Sequence, residues 1–120
     1  MLHKVCNVHA KGAAASSVYY QSSSLSHLVG PLPNTLTDIW RLVWQEKVKV
    51  IVMLTRIVEG GQRKCEQYWP DQEPQEYGPF TITLADQQVF ADYTIRMLQV
   101  KVNLIIYLLA ILFAPHLMIL

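Results

Sequence analysis

Cys6 and Cys65 are the two side chains here with the chemistry of a nucleophile, and His3, His9, His27 and His116 those of a proton carrier or metal ligand. A cysteine attacks as its thiolate, so a reactive one needs a nearby cation or helix N-terminus to lower its pKa. Cys65 has Arg63 and Lys64 beside it, which would act in that sense if the loop brought them close. Two cysteines cannot make a disulfide framework, and neither lies in a metal-type pair. The histidines are scattered, so neither a metal site nor a cofactor is expected. Gly60-Gly61 lacks a following Gly-Lys-Ser and opens no helix, which excludes a phosphate cradle. Trp40 and Trp44 would line an aromatic pocket, but four residues apart on an apolar helical face they are core residues.

Those residues sit in a chain of 120 residues, room for one small domain. With 52% hydrophobic and 16% charged residues, wholesale disorder is excluded. Ten basic against nine acidic residues give a net charge of +1, no electrostatic footprint for nucleic acid.

The chain divides into three stretches. Residues 1–29 contain Ala13-Ala14-Ala15-Ser16-Ser17 and Ser22-Ser23-Ser24 and show neither helical nor strand period. They are expected to be a poorly ordered lead-in. Lys4, Asn7, His9 and Lys11 interrupt any secretory apolar run.

Residues 30–103 read as folded protein. Gly30-Pro31-Leu32-Pro33 disfavours helix, and Thr35 then makes an N-cap with Asp38 three positions on. Leu36, Ile39, Trp40, Val43 and Trp44 follow at one-face helical spacing, with Arg41, Gln45 and Glu46 on the other side. Val50-Ile51-Val52-Met53-Leu54 is β-branched without alternation, predicting a strand covered on both faces. Glu59-Gly60-Gly61-Gln62 predicts a turn. Phe80, Ile82 and Leu84 alternate with Thr81 and Thr83, and Tyr93, Ile95 and Met97 with Thr94, Arg96 and Leu98. A hairpin turn is expected between those strands at Asp86-Gln87-Gln88. The fold class is therefore α+β: one main helix, a central strand and an antiparallel pair, followed by an apolar C-terminal helix.

The middle stretch resembles part of a receptor-type protein tyrosine phosphatase domain. Gly30-Pro31-Leu32-Pro33-Asn34-Thr35 resembles the family's Q-G-P-L-x-x-T segment. Asp38-Ile39-Trp40-Arg41-Leu42-Val43-Trp44 resembles its D-F-W-R-M-V-W helix, with Ile39 for the usual Phe. Ile51-Val52-Met53-Leu54-Thr55, Lys64-Cys65-Glu66-Gln67-Tyr68-Trp69-Pro70 and Asp92-Tyr93-Thr94-Ile95-Arg96 match further family segments in the right order. The resemblance implies a twisted mixed sheet flanked by helices. Ser26-His27-Leu28-Val29 departs from the family's residues before Gly-Pro, and its phosphotyrosine-recognition segment is not recognisable.

The resemblance also implies a reaction, hydrolysis of phosphotyrosine through a cysteinyl-phosphate, and this can be checked on the residues. The family's thiolate has an arginine six positions later that grips the phosphate. Six after Cys6 is Gly12, and six after Cys65 is Asp71, so neither is that nucleophile. The match places Cys65 at a structural cysteine. It also makes Trp69-Pro70-Asp71 part of the Tyr-Trp-Pro segment rather than the family's acid loop, leaving Asp71 a solvated carboxylate. No catalytic, cofactor-binding or metal-binding residue is expected.

Leu104–Leu120 is seventeen residues without a formal charge, near the lower limit of a membrane span, with Lys101 on its N-terminal side. Three readings stand beside one another: a transmembrane anchor holding the chain on the cytoplasmic face, translated sequence foreign to the domain, or an adhesive apolar segment. Two functions follow from the whole: a truncated phosphatase domain lacking the catalytic loop, whose relatives act on phosphotyrosine proteins, or a membrane-anchored interaction or decoy module that pairs through an exposed sheet edge.

Overall fold

The structure, a computed structural model, describes residues 2–10, 17–21 and 25–113. Helix α1 spans Leu36–Gln45, as the apolar spacing predicts. Its N-terminus is built differently from the expected cap. The Thr35 hydroxyl turns backwards, accepting from the Leu32 N–H at 2.8 Å and donating to the Leu32 carbonyl at 3.3 Å, and it bonds no helix amide. Asp38 pairs with Arg41 at 2.7 Å instead. The helix stops in a Schellman turn, with Lys47 at φ 52° and the Val48 N–H reaching the Val43 carbonyl at 3.0 Å.

The described residues form nine strands: β1 Leu2–Ala10, β2 Ser17–Gln21, β3 Leu25–Val29, β4 Val50–Met53, β5 Val58–Glu59, β6 Gln62–Arg63, β7 Gln75–Tyr77, β8 Phe80–Val89 and β9 Tyr93–Val102. β5 and β6 form a small hairpin on the expected Gly60-Gly61 turn. The others make one mixed sheet in the order β3-β2-β4-β1-β9-β8-β7, in which β1 and β4 run parallel. The expected lead-in is thus corrected over its described residues, which supply three strands. β1 lies between two neighbours, so two backbone ladders hold it, and it buries the polar Asn7.

The expected turn at Asp86-Gln87-Gln88 is also corrected. β8 continues through these residues to Val89 with an irregularity between Leu84 and Asp86, and the turn lies beyond, closed by Phe90 N–H to the Tyr93 carbonyl at 2.9 Å. Polar residues there mark a strand in water, not a loop. In β9 the buried side is Thr94, Leu98, Val100 and Val102, while Tyr93 and Met97 are exposed.

Trp40, Ile39 and Val43 of α1 pack onto Ile51, Met53, Phe80, Ile82, Leu98 and Val100 of the sheet. Trp40 is fully buried, its ring 6.1 Å from that of Tyr68 and 6.2 Å from that of Tyr77. Val50 and Val52 are half-buried, so β4 is fully covered on one face only.

Asn103 ends β9 and caps α2, Leu104–Phe113, its carbonyl accepting from the Tyr107 N–H at 2.9 Å. Tyr107 ties this apolar helix to the core through Phe80, ring to ring at 5.9 Å, and receives a hydrogen bond from Gln45 at 3.2 Å. No helix among the described residues is long and apolar enough to cross a membrane. Ten residues rise about 15 Å, half of a hydrocarbon core. The expected transmembrane helix is therefore not borne out; residues 114–120 lie outside the described residues.

Candidate functional site around Cys65 and Arg96

The segment from Lys64 to Asp71 leaves the β5–β6 hairpin and runs beneath the Gly30-Pro31 approach to α1. The Glu66 N–H donates to the Pro31 carbonyl at 2.7 Å, and the Lys64 N–H to the Ile57 carbonyl at 2.7 Å. Cys65 is thereby pressed against Gly30: a Cβ on Gly30 would lie 2.4 Å from that of Cys65, so the backbone admits only glycine there.

Cys65 is buried with its thiol free. Burial, and then the Glu66 carboxylate, push its pKa up, the reverse of what an attacking thiolate needs. The neighbouring cations do not rescue it. Arg63 forks onto both Glu66 carboxylate oxygens, and Lys64 reaches Gln62 at 3.2 Å. Asp71 is exposed and accepts from Gln67 Nε2 at 2.9 Å.

A polar cluster that sequence reasoning missed lies alongside. Asn7 of β1 stands opposite Arg96 of β9 in the sheet. Its amide nitrogen donates to the Tyr68 hydroxyl. Tyr68 is wholly buried, and desolvation raises its pKa far above the ordinary phenol value, keeping it neutral. The Arg96 guanidinium lies 4.5 Å from the Trp69 ring centre, and its Nε and Nη1 are buried without a hydrogen bond. Desolvation lowers its pKa, and the ring face is the compensating contact. One signal could have exposed this cluster: Arg96 continues the period-2 set Leu98, Val100 and Val102, a cation on a buried stripe.

Chemically, the arrangement holds a buried neutral thiol, a buried neutral phenol and a half-buried cation stacked on Trp69. Among the described residues around Cys65 no arginine stands at phosphate-gripping spacing in the sequence, since Asp71 lies six positions on. Cys6 lies in β1, opposite Val50 and Met97, away from the Cys65 segment in the chain and with no arginine six positions on. His3 and His9 fall in β1 and His27 in β3, whereas His116 lies outside the described residues. Among the described residues no group of three His, Cys, Asp or Glu side chains could hold a metal ion.

The family model for protein-tyrosine phosphatase matches residues 9–104. The chain is 46% identical over 83 residues to receptor-type tyrosine-protein phosphatase eta of Mus musculus, which is 69% of this chain and 7% of that protein. Receptor-type tyrosine-protein phosphatase zeta of Homo sapiens is 52% identical over 67 residues, 56% of this chain and 3% of that protein. Tyrosine-protein phosphatase 99A of Drosophila melanogaster is 44% identical over 72 residues, 60% of this chain and 6% of that protein. The chain thus spans less than a tenth of the length of these relatives.

Proposed function

The chain belongs to the protein-tyrosine phosphatase family, and we propose that it is a partial domain of the receptor type with no catalytic power of its own. The observation that carries this is Cys65: buried, un-ionised and followed six positions later by Asp71 where the reaction requires arginine. The family reaction needs a thiolate to attack phosphorus and form a cysteinyl-phosphate while an acid protonates the leaving tyrosine oxygen. No residue of this chain is proposed for either part, and none for a cofactor or a metal. The parent activity on phosphotyrosine proteins belongs to a domain containing the thiolate loop. The test is incubation of the purified chain with a phosphotyrosine peptide. Phosphate release indistinguishable from buffer is expected, and turnover abolished by Cys65→Ser would overturn the reading.

A second reading, a membrane-associated interaction module on the cytoplasmic face, is favoured by α2. Leu104, Ile105, Ile106, Leu108 and Leu109 are all exposed, an apolar surface of the kind that marks a contact site. Lys101 at its base suits an anionic cytoplasmic surface. Vesicle flotation tests it: the chain should rise with phosphatidylcholine–phosphatidylserine vesicles, and retention at the bottom of the gradient would refute it.

A further inference from the structure

The β8–β9 ribbon is paired unequally on its two sides. β1 covers β9 from Tyr93 to Lys101, nine of its ten residues. β7 covers β8 only at Phe80, Thr81 and Ile82. From Thr83 to Val89 the outer edge of β8 has no neighbouring strand among the described residues, and Ala85 to Phe90 are exposed. Such an edge presents N–H and C=O groups at alternate residues, the template for one more strand.

Charge selects the strand. Between Lys64 and Arg96 the sequence contains Glu66, Asp71, Glu73, Glu76, Asp86 and Asp92 and no lysine or arginine. Glu66 is engaged by Arg63, while Glu73 and Glu76 before the ribbon and Asp86 and Asp92 on it are exposed. A second copy of this edge would bring acid against acid, and the irregularity beside Asp86 is a common guard against such self-pairing. The opposite sheet edge, Leu25-Ser26-His27-Leu28-Val29, has no formal charge. The ribbon tip adds an apolar anchor. Phe90 and Tyr93 stack at 4.6 Å with Val89 and Met97 exposed nearby in the chain.

We propose that Thr83–Val89 binds an extended basic peptide segment of a partner protein, added as a strand to the outer edge of β8. The inference rests on the interaction-module reading and assigns it an edge and a partner chemistry. The full chain, titrated into a fluorescent Lys-Val-Lys-Thr-Lys-Val-Lys peptide, should raise its anisotropy saturably. The Glu-for-Lys peptide should bind at least tenfold more weakly, as should the Lys peptide N-methylated at alternate residues, which cannot form the ladder. Asp86→Lys, checked for unchanged circular dichroism, should weaken the Lys peptide at least threefold. Amide shifts should concentrate on Thr83–Val89. Equal binding of the N-methylated peptide would overturn strand addition in favour of charge alone. Absence of binding, shifts confined to β3, or sedimentation as a dimer that the peptide does not dissociate would overturn it too. A chain that fails these tests yet floats with vesicles loses only this inference. One that passes them without floating loses only the membrane reading.

Discussion

Cys65 and Tyr68, three residues apart, resist ionisation for one leading reason, burial. Cys65 should therefore react negligibly with iodoacetamide at pH 7.5 in the folded chain and rapidly in 6 M guanidinium; equal rates in both, followed by peptide mapping, would contradict the buried thiol. Asn7 holds the Tyr68 hydroxyl, so Asn7→Ala strands a buried phenol and should cost about 1–3 kcal/mol in urea unfolding, whereas Asn7→Ala in a Tyr68→Phe background should cost less. Tyr77 gives the pH arm. Burial pushes its pKa up to about 12 from an unfolded value of 10, so the neutral form is the one that fits the fold. Its contribution is complete below pH 10 and lost as pH climbs toward 12. The thermal midpoint should drop across that window, and drop less steeply in Tyr77→Phe.

Elements were legible wherever one physical signal governed them. The spacing of Ile39, Trp40 and Val43 announces α1 because one apolar stripe meets one sheet. Phe80 and Ile82 announce the start of β8 for the same reason, with period two. The end of β8 was illegible, because Asp86, Gln87 and Gln88 look outward into water and carry the composition of a turn. β1 was illegible for the opposite reason: central position fixes it through the backbone, and its buried Asn7 is legible only once Tyr68 is known to lie above it. That Gly12 and Asp71, not arginine, stand six positions after Cys6 and Cys65 could be read from the sequence alone, but Arg96 on Trp69 required the sheet register. A tight link between elements is Gly78, between β7 and β8, at φ 58° and with room for a Cβ only 2.7 Å from Thr37 Cγ2 of α1. Gly78→Ala incurs both left-handed strain and that clash and should destabilise by about 1–3 kcal/mol. Thr37→Ala should recover part of it, and a double-mutant cycle measures how much.

At the scale of the molecule, the family segments from Gly30 to Arg96 do not contain the strand that joins them. β1 separates β3-β2-β4 from β9-β8-β7, so residues 30–103 alone would lose the strand that, among the described residues, pairs with both β4 and β9. That fragment should show no cooperative urea transition while the full chain does; a sharp transition in both would mean that α1 and the Lys64–Asp71 segment bridge the halves without β1. The order of the strands also sets a timetable. β1 is made first, yet Cys6 must wait for Met97, ninety-one positions later, before its second ladder can close. At ribosomal speeds of about 5–20 residues per second that is a wait of roughly 5–20 s, during which the sheet's keystone has at most one partner. For that interval the nascent β1 is open to chaperones, and the long-range closure of its second ladder makes the sheet intrinsically slow to form.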